Sequence, residues 1–174
     1  MHAGSLPRWV FIRAGLSGGG AIGLMQVIPR FAGLEAYILL HKEEQIPDES
    51  YVYDPENNVL LGTAYYHLLK TRYFGKVRDP VKNRYLSLAS YNLGPTIVRS
   101  RITRPHRPAR LSRQALLAVI RRHTPAETRG YLDGVLGRMP MYKGFFGKKG
   151  KILARLEANR EAPPDRLITT AGRE

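Results

Sequence analysis

The chain has 174 residues, 43% of them hydrophobic, which suits one domain with a core of its own. It contains no run of about twenty apolar residues of the kind that spans a bilayer. Its formal net charge is +14, from 28 Lys and Arg against 14 Asp and Glu, so it attracts polyanions: nucleic acid, anionic lipid and the anionic bacterial envelope all qualify, as does a solvated basic surface with no specific partner.

With no cysteine, these residues hold no disulfide, thiolate metal site, Cys nucleophile or lipid-bearing Cys. Residues 1–20 carry Arg8 and Arg13 and no uninterrupted apolar stretch, so they do not read as a signal peptide. Gly15, Gly18, Gly19 and Gly20 mark a flexible loop. From Ala21 the apolar residues Ile22, Leu24, Met25, Val27 and Ile28 predict a helix that Pro29 interrupts, with helical spacing resuming through Phe31, Leu34, Tyr37, Ile38 and Leu40. Residues 42–53 are polar and contain Pro47, which predicts a loop.

Asp54-Pro55 is a helix start, because Asp caps free N–H groups and Pro suits the first helical position. Leu61, Ala64, Tyr65, Leu68 and Leu69 give that helix one apolar face, and it should end near Gly75. Pro80 opens the next helix, which holds Tyr85, Leu88, Ala89 and Tyr91 and which Gly94-Pro95 breaks. Residues 99–110, rich in Arg and Pro, predict a loop. Ser112 caps a helix through His123, and Thr124-Pro125-Ala126-Glu127 reads as a capping box for a helix to about Met139. In that reading Glu127 caps a helix and is not an acid catalyst. The expected fold class is mostly α. The expected division is an atypical segment 1–16, a domain 17–143 and a basic, flexible tail 144–174.

Three segments stand out in order: Gly23-Leu24-Met25-Gln26-Val27-Ile28-Pro29, Ala89-Ser90-Tyr91-Asn92-Leu93-Gly94-Pro95, and Glu127-Thr128-Arg129-Gly130-Tyr131-Leu132. A helix carrying Asn58, Gly62, Ala64 and Tyr65 lies between the first two. Short motifs recur by chance, but three in order are specific. Together they resemble the lytic transglycosylases of the soluble-lytic-transglycosylase type, and residues 73–85 are most similar to the membrane-bound murein transglycosylases of the C type. The resemblance covers about residues 15–142 and implies a lysozyme-like, goose-type multi-helix fold. It implies a peptidoglycan glycan strand as substrate and no cofactor or metal. It also implies substrate contacts from Met25, Gln26, Tyr91, Asn92 and Tyr131. A glycan groove needs hydrogen-bonding groups and an apolar floor, which Met25 and Gln26 supply together. On their own residues, Met25, Tyr91 and Tyr131 also admit a reading as packed core side chains.

The implied reaction cleaves the β-1,4 bond between N-acetylmuramic acid and N-acetylglucosamine without water. The muramic acid C6 hydroxyl attacks, leaving a 1,6-anhydro end. Most glycoside cleavage uses two carboxyls; here one Glu, held protonated by an apolar pocket, serves first as acid and then as base. The resemblance places that Glu in a Glu-Ser-x-Phe-Asn-Pro segment about fifteen residues before Gly23. Counting back without a gap sets Phe11 on the motif's Phe and Ser17 on a family Ser, but Arg8 on the catalytic Glu, with Ile12 and Arg13 for Asn and Pro. No Asp or Glu precedes Glu35, and Arg holds its proton at any working pH. Glu35, on the following helix, is not promoted to that role. The chain as written is therefore expected to be inactive. Either it is a degenerate or truncated member that binds glycan, or residues 1–20 are foreign through a misplaced start or a frame error. The abrupt failure of the match before Ser17 favours the second.

The alternatives are a non-catalytic peptidoglycan-binding module and a basic helical nucleic-acid binder using residues 99–113 and 143–151. No helix carries a recognised base-reading motif, so nucleic acid is not expected. His2, His41, His67, His106 and His123 show no ligand spacing. The expected partners are glycan strands and the anionic envelope surface, and the expected location is the periplasm or the periplasmic face of the outer membrane.

Overall fold

The computed structural model describes residues 20–160, with side chains for residues 20–144. Arg8, Phe11, Ile12, Arg13 and Ser17 lie outside the described residues, as does Pro163-Pro164. The chain divides into two units, one ending at Arg129 and one beginning at Gly130.

Among the described residues, the first unit is mostly helical after its entry. Ile22 and Val27 exchange backbone hydrogen bonds of 2.9 Å in both directions, an antiparallel bridge closed by residues 23–26. The helix expected from Ala21 is thus a tight turn. Gly23 at φ 73 and Gln26 at φ 52 both sit in the left-handed region, which an α-helix cannot include. A wide π turn, Pro29–Gly33, then leads into α1, Leu34–His41.

The loop expected at residues 42–53 contains α2, Glu49–Tyr53, because the Asp48 carboxylate accepts the Tyr51 N–H at 2.7 Å and nucleates a turn. Helix α3, Pro55–Leu68, begins where the sequence places it: Asp54 accepts from the Glu56 and Asn57 N–H groups at 3.1 and 2.9 Å. Its buried face carries Asn58, Leu61, Gly62, Ala64, Tyr65 and Leu68, spaced three and four apart. A second π turn, Leu69–Tyr73, ends it.

Helix α4, Pro80–Leu93, is capped by Asp79 and stops at Gly94, whose φ of 92 suits glycine. The buried Asn83 amide donates to the Lys70 and Phe74 carbonyls at 2.9 and 2.8 Å, fastening the end of the preceding turn to α4. Short helical pieces fill the stretch expected to be loop. They are α5, Pro95–Val98, a π turn, Arg99–Thr103, α6, Arg104–His106, and a 3-10 turn, Pro108–Arg110. Buried Val98 and Ile102 give them an apolar anchor that their Arg and Pro content hides. Helix α7, Arg113–His123, is capped by the Ser112 hydroxyl and buries Leu116 and Ile120.

Helix α8, Ala126–Arg160, crosses the division between the units. It runs past the end expected at Met139 despite Pro140, which removes one backbone donor. Residues 151–158, Lys-Ile-Leu-Ala-Arg-Leu-Glu-Ala, are mostly strong helix formers. Among the described residues, no helix is long and apolar enough to cross a membrane.

One apolar cluster organises the first unit. Ile22, Val27, Ala36, Val52, Leu61 and Leu69 are buried together with Tyr65, so the entry turn is packed onto α1, α2 and α3.

Candidate functional site

The turn at residues 23–26 is fastened to α3 by a buried amide. Asn58, fully buried on α3, accepts the Met25 N–H at 2.7 Å through Oδ1. Its Nδ2 donates to the carbonyls of Ile22 at 2.9 Å and Val52 at 2.8 Å. A buried amide with all three bonds made is rigid, and removing it would take a partner from three backbone groups, of which the Ile22 carbonyl keeps the Val27 N–H. The turn presses so closely on Asn58 that a Cβ on Gly23 would collide with its amide. Gly62 does the same one turn along α3, where a Cβ would stand 2.5 Å from Met25 Cβ and 2.8 Å from the Tyr91 hydroxyl.

Tyr91, near the end of α4, donates its hydroxyl to the Met25 carbonyl at 2.9 Å. Its ring lies 5.7 Å from that of Tyr65 and 6.5 Å from that of Tyr66. Burial pushes both neighbouring phenols above the ordinary tyrosine range. The charge on Glu35 adds to this at Tyr65, and Arg84 opposes it at Tyr66. The neighbours of Tyr91 therefore stay neutral at any physiological pH.

Met25 and Gln26 are half-buried. Gln26 donates its amide to the Gly23 carbonyl at 2.7 Å, and its Oε1 is buried with no partner among the described residues. Asn92 is exposed, and its Oδ1 accepts the buried Thr128 hydroxyl at 2.6 Å. Of the residues singled out in the sequence, Met25 and Tyr91 thus meet directly, with Gln26 next to Met25 and Asn92 next to Tyr91 in the chain. Tyr131 belongs to the second unit, about one helical turn along α8 from Thr128.

Both glutamates weighed in the sequence as catalytic acids lie among the described residues. Glu35, on the first turn of α1, accepts the Tyr73 hydroxyl at 2.8 Å on each carboxylate oxygen. Burial, then the hydrogen bond to Glu35 and its charge, push the Tyr73 phenol up to about 12. Glu127 is exposed in the first turn of α8. The Thr124 hydroxyl, expected to face forward in a capping box, donates back to the Ile120 carbonyl at 2.8 Å.

Asn58 and Gly62 carry the site's shape, and sequence reasoning did not single them out as site residues. The available signal was an Asn on the apolar stripe of a helix, where only a satisfied amide is tolerated.

The family model described as Transglycosylase SLT domain matches residues 11–111. That span holds the segments around Met25 and Tyr91 and ends before Glu127. The membrane-bound lytic murein transglycosylase C of Haemophilus ducreyi is 36% identical over 121 residues, 66% of this chain and 33% of that protein. The protein of the same name from Serratia proteamaculans is 40% identical over 79 residues, 45% of this chain and 22% of its own. That from Yersinia pestis is 43% identical over 74 residues, 42% and 20% respectively. The chain spans a third or less of the length of these relatives.

Proposed function

The chain belongs to the transglycosylase SLT domain family, and from that membership we propose that it holds peptidoglycan glycan strands on Met25, Gln26, Tyr91 and Asn92, with Tyr131 as a further contact. The observation that carries this is the 2.9 Å bond from the Tyr91 hydroxyl to the Met25 carbonyl, which joins the first two family segments into one surface. The Asn92–Thr128 bond supports it by tying the second segment to the third. Met25 offers an apolar contact, while Gln26 and Asn92 offer amides suited to sugar hydroxyls and N-acetyl groups.

The family reaction is the non-hydrolytic cleavage of the N-acetylmuramic acid to N-acetylglucosamine bond, leaving 1,6-anhydro ends. It needs a carboxyl that is protonated near neutral pH. The position where the resemblance expects it is Arg8, which lies outside the described residues. Glu35 has its two oxygens bound to Tyr73, which supports a positioning role for it. The reading is therefore binding without turnover for the chain as written, by a module of residues 17–143. The relatives' names say membrane-bound, which supports a membrane-associated setting, and the periplasmic face of the outer membrane is the location proposed with it.

Murein sacculi test both halves. The chain should co-sediment with sacculi and release no 1,6-anhydro muropeptides. Release by the parent chain would remove the claim of inactivity. Failure to co-sediment, with retention of DNA in a gel shift at the same salt, would remove the glycan reading. An Arg8→Glu variant run beside the parent should gain release if that position alone is at fault.

A further inference from the structure

A second concavity, of about 600 Å³, opens beside the N-terminal end of α4. None of Met25, Gln26, Tyr91 or Asn92 lines it. Its walls come from two stretches, residues 73–82 and 99–109. Five lining side chains are cationic, Lys76, Arg78, Lys82, Arg99 and Arg107, against the single carboxylate of Asp79.

That carboxylate is already engaged. It accepts the Val81 and Lys82 N–H groups and pairs with Arg113 at 3.0 Å. Burial works to raise its pKa, but the Lys82 N–H and the Arg113 guanidinium outweigh it and hold the group below the usual carboxylate range. Lys82 donates to the Pro108 carbonyl at 3.1 Å, which closes one side of the concavity. Among the described residues, no carboxylate pairs with Lys76, Arg78, Arg99 or Arg107. Phe74 and Pro108, both buried, form an apolar backing, and a low-dielectric wall strengthens the field of the cations in front of it. Arg107 holds φ 46, a conformation that non-glycine residues rarely adopt, and it turns the chain so that Pro108 enters this wall.

We propose that this concavity binds a phosphate ester. One ordinary carboxylate brings one charge and two oxygens, which leaves most of the cations unmatched. A phosphomonoester brings about −1.5 to −2 charges and three acceptor oxygens, and guanidinium forks hold it bidentately. The volume exceeds that of a bare phosphate group and admits the body that carries it. The site is separate from the glycan surface, because Lys82 and Tyr91 lie on one helix roughly 14 Å apart along its axis. It does not depend on the glycan reading.

The probes are N-acetylglucosamine 1-phosphate, uncharged N-acetylglucosamine, acetate, and vesicles of phosphatidic acid or of phosphatidylcholine. Two variants with equal net charge separate a local site from the general field: Arg78→Gln with Arg99→Gln, and Arg121→Gln with Arg122→Gln on α7. All four arginines are exposed, and a thermal melt checks that both variants fold. The sugar phosphate should shift amide resonances in residues 73–82 and 99–109. Its affinity should fall about tenfold in the first variant and stay within about twofold in the second. Binding by the soluble ester alone assigns a soluble phosphate as the source. Sedimentation on phosphatidic acid alone, dependent on Arg78 and Arg99, assigns a lipid headgroup. Either result supports the site. Equal loss in both variants, equal binding of acetate, or no binding of ester or vesicles by the parent chain would overturn it.

Discussion

Gly62 faces Met25 with no room for a side chain: a Cβ on Gly62 would stand 2.5 Å from Met25 Cβ. It would also stand 2.8 Å from the Tyr91 hydroxyl, so one added methyl would press on both halves of the candidate glycan surface. Overpacking of this kind costs about 1–3 kcal/mol, and the usual helix gain of Ala over Gly, under about 1 kcal/mol, does not offset it. Gly62→Ala should lower the melting temperature by several degrees and weaken sacculus binding together. A variant that melts higher than the parent would show that α3 and the turn can slide apart.

Asn58 is the more severe position. Asn58→Leu keeps the branched shape but leaves the Met25 N–H and the Val52 carbonyl without the amide, while the Ile22 carbonyl keeps only the Val27 N–H. Each stranded buried group costs about 1–3 kcal/mol, so a loss of at least about 2 kcal/mol is expected after relaxation. Urea unfolding should show it as a lower midpoint with an unchanged slope. A midpoint within error of the parent would mean that the turn does not depend on this amide.

These positions show where the sequence was readable and where it was not. Asp54-Pro55 and Ser112 announce their helices because a cap acts within three residues, and the structure uses both as expected. The turn at residues 23–26 is different. Ile22 and Met25 fall three apart, as on a helix, and the partner that bends them into a bridge is Asn58, more than thirty residues away. Local periodicity cannot report a long-range hydrogen bond. The motifs named Met25, Gln26, Tyr91 and Asn92 as candidates, yet gave no reason for Tyr91 to meet Met25. That reason lies in Gly62 and Asn58, which look ordinary in a helix.

Tyr73 predicts a response to alkaline pH. Its phenol is pushed up to about 12, first by burial and then by Glu35, while the unfolded chain ionises near 10. Between these values the unfolded state has released a proton that the folded state keeps. Stability from this group is therefore complete below about pH 10 and is lost as pH rises toward 12. Tyr65 is raised by burial in the same direction and adds to the loss. Urea midpoints measured from pH 8 to 11.5 should fall above pH 10, and Tyr73→Phe should fall less steeply. Parallel slopes in parent and variant would mean that other tyrosines carry the effect.

The last test asks whether the second and third family segments act on the ligand through one hydrogen bond. Thr128 is 1% exposed, and its hydroxyl donates to Asn92 Oδ1 at 2.6 Å, which fixes the exposed amide. Thr128→Val keeps the shape and removes the donor. The oxygen of Asn92 can then turn to water, so the stability cost should be small, about 1 kcal/mol. Freed to rotate, the amide must be ordered again when glycan binds, which costs about 0.5–1.5 kcal/mol of side-chain freedom. Binding to sacculi should therefore weaken about three- to tenfold, and Thr128→Val should cause little further loss on top of Asn92→Ala. Full additivity of the two changes would show that Thr128 supports the fold alone and that Asn92 reaches glycan without it.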